Sequence, residues 1–506
     1  MKTLVRLVLT GLLTLILVPF VACGANTYEH EDINHVIFPL TLESVLDIAN
    51  QRREDIDKPG RDKLLAVVEG WEPSLDDISL IDLSNRPPQR FVLSTEEAIQ
   101  DTKTLFWLLR EAYGAYEHFG GNEVFLPLLD EIVEVLSGQD RWSRFEQIVI
   151  ERLSEVIFDN HFIIDNNHLS ADAHFFVNET AFDRDQNGLR QRETGRYVTN
   201  VIGHDIDKVF RLSVDETGDF FYIPVVAQHS NGHAGTENYE LRLIFGNDEE
   251  EIMVLSKDIA RRLLNIGGSS LRFENDIPIV TVREMGWPNS IGEASVHRRE
   301  SAIRFLSFAE DLKDEPVVIV DIRSNEGGNG LLPLMWLHIL AGEVVPTNFV
   351  ALSVDKCIER PEEWLATHHV CDEDLAAYLH ADVLNDQYFI SFAHPDRIVS
   401  NDQIIILLVD RFTASAGEVF VDLMFSMENT LVIGQNTAGV LLTNSFGAPM
   451  FLPNSGIPVM FGPSVTVHPE GHFYEGVGFA PDVWVVGDAL RAALATLGRV
   501  DTNSTY

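Results

Sequence analysis

Apolar and polar positions alternate with three different periods along the chain, and each period predicts a different layer of structure. From Thr95 to about Phe158 apolar residues recur three and four positions apart, in TEEAIQDTKTLFWLLREAYGAY, VFLPLLDEIVEVLSG and RFEQIVIERLSEVIF. That is the spacing of amphipathic helices, and Ser94 with Glu97 offers a capping box ahead of the first. From about Ala171 to Asn275 the period falls to two, in VFRLSV, FFYIPVV, YELRLIF and EEIMVLS, with Gly and Asn-Asp turns between. This predicts short strands. From Ile277 onward strands and helices alternate: IPIVTV, a helix through Arg298 to Leu312, PVVIVDI, a helix from Leu331 to Leu340, a strand-turn-helix over Gln403 to Met427, LVIG, and a helix from Asp488 to Leu497. Such βα alternation predicts a parallel or mixed sheet with helices on its faces. The fold class is therefore an α/β core preceded by an N-terminal helical domain and a small β-rich domain.

The boundaries follow from these shifts: a helical domain over 91–170, a β-rich domain over 171–275, an α/β core over 276–490 and a C-terminal tail over 491–506. Ahead of them, Lys2 and Arg6 precede an apolar run from Leu7 to Val18, and Phe20-Val21-Ala22-Cys23 resembles a bacterial lipobox. Residues 1–22 then read as a signal peptide, with Cys23 lipid-modified and the polar stretch 23–90 as a tether. The expected location is the bacterial cell envelope, with membrane contact through that anchor. Of three cysteines, Cys357 and Cys371 remain. In an oxidising compartment they could close a disulfide, inside a charged insertion over 349–399 that could form a lid.

Composition narrows the partners. The chain carries 37 basic against 78 acidic side chains, a net charge of −41. Such a surface repels nucleic acid and anionic headgroups. No stretch has metal-ligand spacing such as H-E-x-x-H, and Asp183 to Gly188 begins like a calcium loop but lacks its closing glutamate. It reads as a solvated turn, and no metal or cofactor is expected.

The candidate chemistry lies in the strand-turn-helix. Ile404 to Val409 is an unbroken apolar run, the mark of a strand buried on both faces. Ser415 follows in the turn, flanked by Ala414, Ala416 and Gly417. Small neighbours let a carbonyl approach, and unpaired N–H groups of a first helical turn can hold an oxyanion. An N-cap serine would occupy the same position, so both readings stand at this point.

Three further stretches join it: Asp321-Ile-Arg-Ser-Asn-Glu-Gly-Gly328, Val432 to Gly439 (VIGQNTAG), and Tyr474 to Val483 (YEGVGFAPDV). With Thr413-Ala-Ser-Ala-Gly-Glu418 they resemble, in order and separation, the C-terminal-processing (tail-specific) peptidase family, including its tricorn-type branch and the interphotoreceptor retinoid-binding protein. The Asp-x-His of Asp159 to His161 matches the motif closing that family's N-terminal helical region. The resemblance implies a ClpP/crotonase-like core, a serine nucleophile at Ser415, and an oxyanion hole from Gly327 or Gly328 with Ala416. Members with a Ser-Lys dyad carry lysine where this chain has Val440, whereas the tricorn-type branch uses a histidine and a glutamate at the positions of His161 and Glu475. The implied activity is endopeptidase hydrolysis of a peptide or protein substrate by a Ser415-His161-Glu475 triad. The alternative is a non-catalytic ligand-binding or scaffold protein on the same fold. His168, His174 and His472 fall outside the motif and read as surface histidines, and Arg323 with Asp321 is expected to stabilise the glycine turn. The family often carries a PDZ domain after the histidine motif, but residues 171–275 show no glycine-rich carboxylate loop.

Overall fold

The computed structural model describes residues 40–68, 83, 86–170, 172–229, 237–246, 248–263, 268–286, 293–354, 382–383, 388–391, 398–443 and 449–498. Cys23, the signal segment, Cys357 and Cys371 lie outside the described residues, as does most of the expected lid.

The α/β core is built on parallel strands Ile277–Val282, Val317–Asp321, Ile404–Val409, Thr430–Gly434 and Val483–Trp484, hydrogen-bonded in that order. The apolar run at 404–409 sits in the middle, and its alternation explains its composition. Ile405, Leu407 and Val409 enter one core with the helices Glu293–Asp311, Leu331–Ala341 and Ala416–Met424. Ile406 and Leu408 enter another, against the helices Leu42–Glu54 and Ala489–Leu497. A strand buried on both sides has no polar face to show.

Two features depart from the linear reading of domains. The β-rich segment continues the core sheet: Val483–Trp484 pairs in parallel with Phe210–Val214 through Trp484 and Ser213, giving one sheet of 14 strands. Within the expected tether, Leu42–Glu54 is a helix started by a Thr41–Ser44 capping box. It buries Leu42, Val45, Leu46 and Ala49. At its end the buried Arg53 donates to Asp482 Oδ2 at 3.0 Å and to the Thr430 carbonyl at 2.7 Å.

The helical region forms as its periodicity predicts, with helices Thr95–Ala112, Gly121–Leu136 and Glu146–Leu153 around a core of Phe106, Tyr116, Phe125 and Ile132. Ser94 and Glu97 make the expected capping box, worth about 1 kcal/mol. The histidine motif that follows is a strand, Asp159–Ile164, paired with Asn167–Leu169 and Pro458–Met460. This pairing carries the helical region onto the segment 458–460, C-terminal to the helix Ala416–Met424.

Candidate active site

The turn between Val409 and Ala416 is shaped by what its backbone must bond. Asp410 accepts from Ser324 N at 2.8 Å, Ser324 Oγ at 2.9 Å and Phe412 N at 3.0 Å, tying this turn to the one after Val317–Asp321. Ala414 N donates to the Asn325 carbonyl at 2.9 Å. Ser415 then lies at φ 51°, ψ −115°, a conformation that costs a non-glycine residue of order 1–3 kcal/mol and persists only where its surroundings dictate it.

Glu418 supplies that support. Its fully buried carboxylate accepts from Ser415 N at 3.0 Å, Val440 N at 2.8 Å, Gly439 N at 2.7 Å and Thr437 Oγ1 at 2.6 Å. Burial raises its pKa, and these donors work against the rise. Val440, at the position of the dyad lysine, is thus held by its backbone. Ser415 and Glu418 stand as the two ends of a capping box at the start of this helix. The Glu418 and Val419 N–H groups bond the Ser415 carbonyl at 2.8 and 3.0 Å. An ordinary N-cap has extended backbone angles, which Ser415 does not.

The glycine turn faces the serine. A Cβ on Gly327 (φ 106°) would lie 2.7 Å from Ser415 Cβ and 3.1 Å from Ala416 N, so only glycine lets the two turns close together. The Gly327 N–H is already given to Asn325 Oδ1 at 2.9 Å. The N–H groups of Gly328 and Ala416 have no acceptor among the described residues. Beneath the turn, Asp321 accepts from both Arg283 and Arg323 at 2.9 Å, and their guanidinium groups outweigh its burial to hold its carboxyl down at about 2.

His161 comes from the other side. Its strand is anchored by Asp159, which is buried and accepts from His161 N at 2.9 Å, Tyr113 Oη at 2.8 Å and Thr443 Oγ1 at 2.8 Å. Between them, Asn160 Nδ2 donates to the carbonyl of Gly439 at 3.0 Å, the residue whose N–H Glu418 holds. Burial pushes the His161 imidazole below its ordinary pKa, with the Asp159 charge and the Thr443 carbonyl partly opposing. Its Nδ1 is buried and makes no hydrogen bond.

Glu475 does not bond this ring. Its enclosed carboxylate accepts from Asn160 N at 2.9 Å, Leu442 N at 2.8 Å and Leu441 N at 3.1 Å. Burial, with Asp159 and Glu418 nearby, raises its pKa well above the usual carboxylate range. The structure thus gathers the serine turn, the glycine turn, the histidine strand and the glutamate into one bonded network, while His161 Nδ1 stays unbonded.

Among the other histidines, His472 is corrected: it is largely buried and bonds Asp422 Oδ1 at 3.1 Å. His168 Nδ1 bonds the Asn160 carbonyl at 3.0 Å, and His174 Nε2 is buried without a partner. The multiple roles of Glu418 and Asn160 were not visible in the sequence. The nearest signal was Glu418 at the third position of the nucleophile helix, where a capping-box glutamate would stand. Among the described residues no cluster of metal-ligating side chains occurs.

Comparisons with known proteins come from sequence and from structure. A search of curated proteins found no match. Among solved structures, mature CPAF is similar over 80% of this chain and 95% of its own, at 13% identity and a TM-score of 0.39. The photosystem II D1 C-terminal processing protease matches over 76% of this chain and 92% of its own, at 12% and 0.33. The tricorn protease matches over 79% of this chain and 35% of its own, at 12% and 0.29. In sequence, residues 290–485 match the model of peptidase family S41. That stretch contains both turns that meet at Ser415. Over this stretch the chain is similar to peptidase family S41, a resemblance that supports a serine peptidase.

Proposed function

We propose that the chain is an exported endopeptidase in which Ser415 attacks the scissile carbonyl, His161 takes its proton and returns it to the leaving amine, and Glu475 holds the histidine motif in place. One observation carries this reading. Ser415 is held at a positive φ, with its amide bonded to a buried carboxylate and its side chain facing the glycine turn. Capping alone needs only extended backbone angles, not this conformation. The unacceptored N–H groups of Gly328 and Ala416 supply an oxyanion hole on the glycine-turn side. Val440 in place of a lysine leaves histidine as the base, and burial keeps that histidine neutral and ready to accept a proton. Closing the Ser415–His161 gap falls to the bound substrate, since catalytic hydrogen bonds tighten in the Michaelis complex. Glu475 acts through backbone: its bonds to Asn160, Leu441 and Leu442 set where the imidazole stands.

The apolar run Leu7 to Val18, with the lipobox-like Phe20 to Cys23 after it, supports export and a lipid anchor in the bacterial envelope. The test of the catalytic reading is labelling with a fluorophosphonate probe. Stoichiometric labelling that disappears in Ser415→Ala, and falls at least a hundredfold in rate in His161→Ala, is expected. A folded protein that resists labelling overturns it.

A further inference from the structure

On the helix Ala416–Met424, Glu418 and Asp422 stand one turn apart and share a face. Glu418 holds the Ser415 amide, and Asp422 holds a different segment. Asp422 has no solvent exposure, and a buried carboxylate needs bonded partners. Its Oδ2 accepts Asn348 N at 2.7 Å, and its backbone carbonyl accepts Asn348 Nδ2 at 2.9 Å. Its Oδ1 lies 3.1 Å from His472 Nε2. Since a carboxylate only accepts, Nε2–H is the donor. The His472 ring is nearly buried and meets Phe425 and Phe479 edge-on, at centroid distances of 5.3 and 5.2 Å.

The segment that His472 begins carries Glu475 three residues on. On its far side the guanidinium of Arg411, in the turn ahead of Ser415, donates to the carbonyls of Val477 at 3.2 Å and Gly476 at 3.5 Å. It also donates to those of Thr437 at 2.5 Å and Ala173 at 3.2 Å. All four acceptors are main-chain carbonyls, so this side chain governs where backbone is placed. Between the two fastenings, the Val477 and Gly478 N–H groups bond the Tyr474 carbonyl at 3.0 and 2.8 Å and close a tight turn around Glu475. Residues 472–477 are therefore tied to the helix at one end and to the Ser415 turn at the other. A ring between Phe425 and Phe479 needs no acid opposite it in order to pack. A bond to a buried acid adds direction and register.

We propose that His472 and Arg411 are positioning residues for the reaction: they clamp segment 472–477 onto the helix and turn that carry Ser415, and so set, through Glu475 and Asn160, where His161 stands relative to the hydroxyl. The proposal rests on the catalytic reading of Ser415 and His161. Neither residue touches the reacting atoms. Each acts through the segment that holds Glu475, whose carboxylate in turn holds the N–H groups of Asn160, Leu441 and Leu442.

The test compares two substitutions in the full chain. His472→Phe keeps a ring between Phe425 and Phe479 and loses the bond to Asp422, whereas His472→Gln loses the ring and puts an amide nitrogen where Nε2 stood. The maximal rate of fluorophosphonate labelling is expected to fall about tenfold or more in His472→Phe and to recover to within about threefold in His472→Gln, with the probe concentration for half-maximal rate unchanged in both. Hydrogen exchange at Leu441 and Leu442, followed by mass spectrometry, should quicken in His472→Phe and stay near native in His472→Gln. Arg411→Lys, whose single ammonium cannot span the four carbonyls, should behave like His472→Phe, and it decides alone should His472→Phe fail to fold. Full labelling in His472→Phe, a slower rate in His472→Gln than in His472→Phe, or a loss confined to probe binding overturns the proposal. The two readings fail separately. A labelled native chain whose rate His472→Phe leaves intact removes the clamp only. A native chain that resists labelling removes the catalytic reading, and exchange then decides the clamp: quickened in His472→Phe it stands, unchanged it falls.

Discussion

The carboxylate of Glu475 accepts the backbone N–H of Asn160 at 2.9 Å, immediately before His161 in the chain. The glutamate therefore governs the histidine through the main chain, and a substitution that keeps its shape still disturbs it. In Glu475→Gln one acceptor oxygen becomes an NH₂ that must face either Asn160 N–H or the Leu441 and Leu442 pair. A donor–donor clash of this kind costs about 1–3 kcal/mol. The expected result is a loss of roughly 10- to 100-fold in kcat with KM little changed, and fluorophosphonate labelling slowed in parallel. If Glu475→Gln retains full kcat, the positioning role is wrong.

Glu418 is the corresponding support for Ser415, the proposed nucleophile. Removing its carboxylate in Glu418→Ala strands the N–H groups of Ser415, Gly439 and Val440 and the Thr437 hydroxyl, all four bonded to it. Each buried group left unsatisfied costs about 1–3 kcal/mol. Stability measured by urea unfolding should fall by about 3 kcal/mol or more, with activity lost even where the variant remains folded. Glu418→Gln should be intermediate, since one oxygen is retained.

Gly327→Ala tests the closeness of the two turns. The added methyl would meet Ser415 Cβ at 2.7 Å, on a backbone at φ 106°. Either turn must shift, and a shift of the nucleophile of about 1 Å costs on the order of 10²-fold in rate. The expected signature is a fall in kcat with a destabilisation of about 1–3 kcal/mol, read from a Michaelis–Menten series and a melt on the same preparation. Gly188→Ala, on an open turn with nothing near its added methyl, serves as the control.

How much of this was legible in the chain follows from the range of each interaction. The run Ile404 to Val409 and the turn around Ser415 announce themselves because burial on both faces and small flanking residues are local properties. The strand Asp159–Ile164 was readable only in part. Phe162 and Ile164 alternate inward as a strand requires, but six residues after a helix give a weak signal. The joining of the β-rich segment to the core rests on one pairing, Trp484 with Ser213, and nothing local to either residue encodes it. The same holds for Leu42–Glu54. Its sequence is polar enough to pass for a tether, and the partner that fixes it, Asp482, lies 429 residues from Arg53.

That long-range pair carries its own prediction. Arg53 and Asp482 are both buried, and Asp482 Oδ2 also accepts Val432 N at 2.9 Å. Arg53→Met leaves the carboxylate with one remaining donor, and breaking a buried pair costs about 3–5 kcal/mol. Asp482→Asn should cost less, because an amide oxygen can still accept from Val432 N. The double variant should be less destabilised than the sum of the two, a coupling readable from a double-mutant cycle of urea midpoints. Strict additivity would mean that the helix Leu42–Glu54 is held by its apolar face alone.

Two buried histidines make opposite demands on an experiment in pH, one on rate and one on stability. For His161 the neutral ring is the base, so kcat/KM falls as pH drops through its pKa. Burial holds that pKa below the ordinary value, and the acid limb should lie below about pH 6.5. His468 lies away from the proposed chemistry, stacked on Phe473 with ring centroids 4.4 Å apart, and burial drives its pKa down to about 3. A folded pKa below the unfolded value means that, between about 6.5 and about 3, the unfolded chain takes up a proton that the folded chain refuses. The stabilisation is complete at neutral pH and declines as pH falls through that window, by about 2 kcal/mol at pH 5, reckoned at 1.36 kcal/mol per unit below about 6.5. His468→Phe keeps the stacking and removes the titration. Thr466 Oγ1, which contacts the ring at 3.0 Å, still has the Leu442 carbonyl at 3.1 Å. Urea unfolding at pH 7.5 and pH 5 should show the parent losing about 2 kcal/mol more than the variant over that interval. Equal losses in both would mean that the ring titrates near its ordinary value and that its burial is not complete.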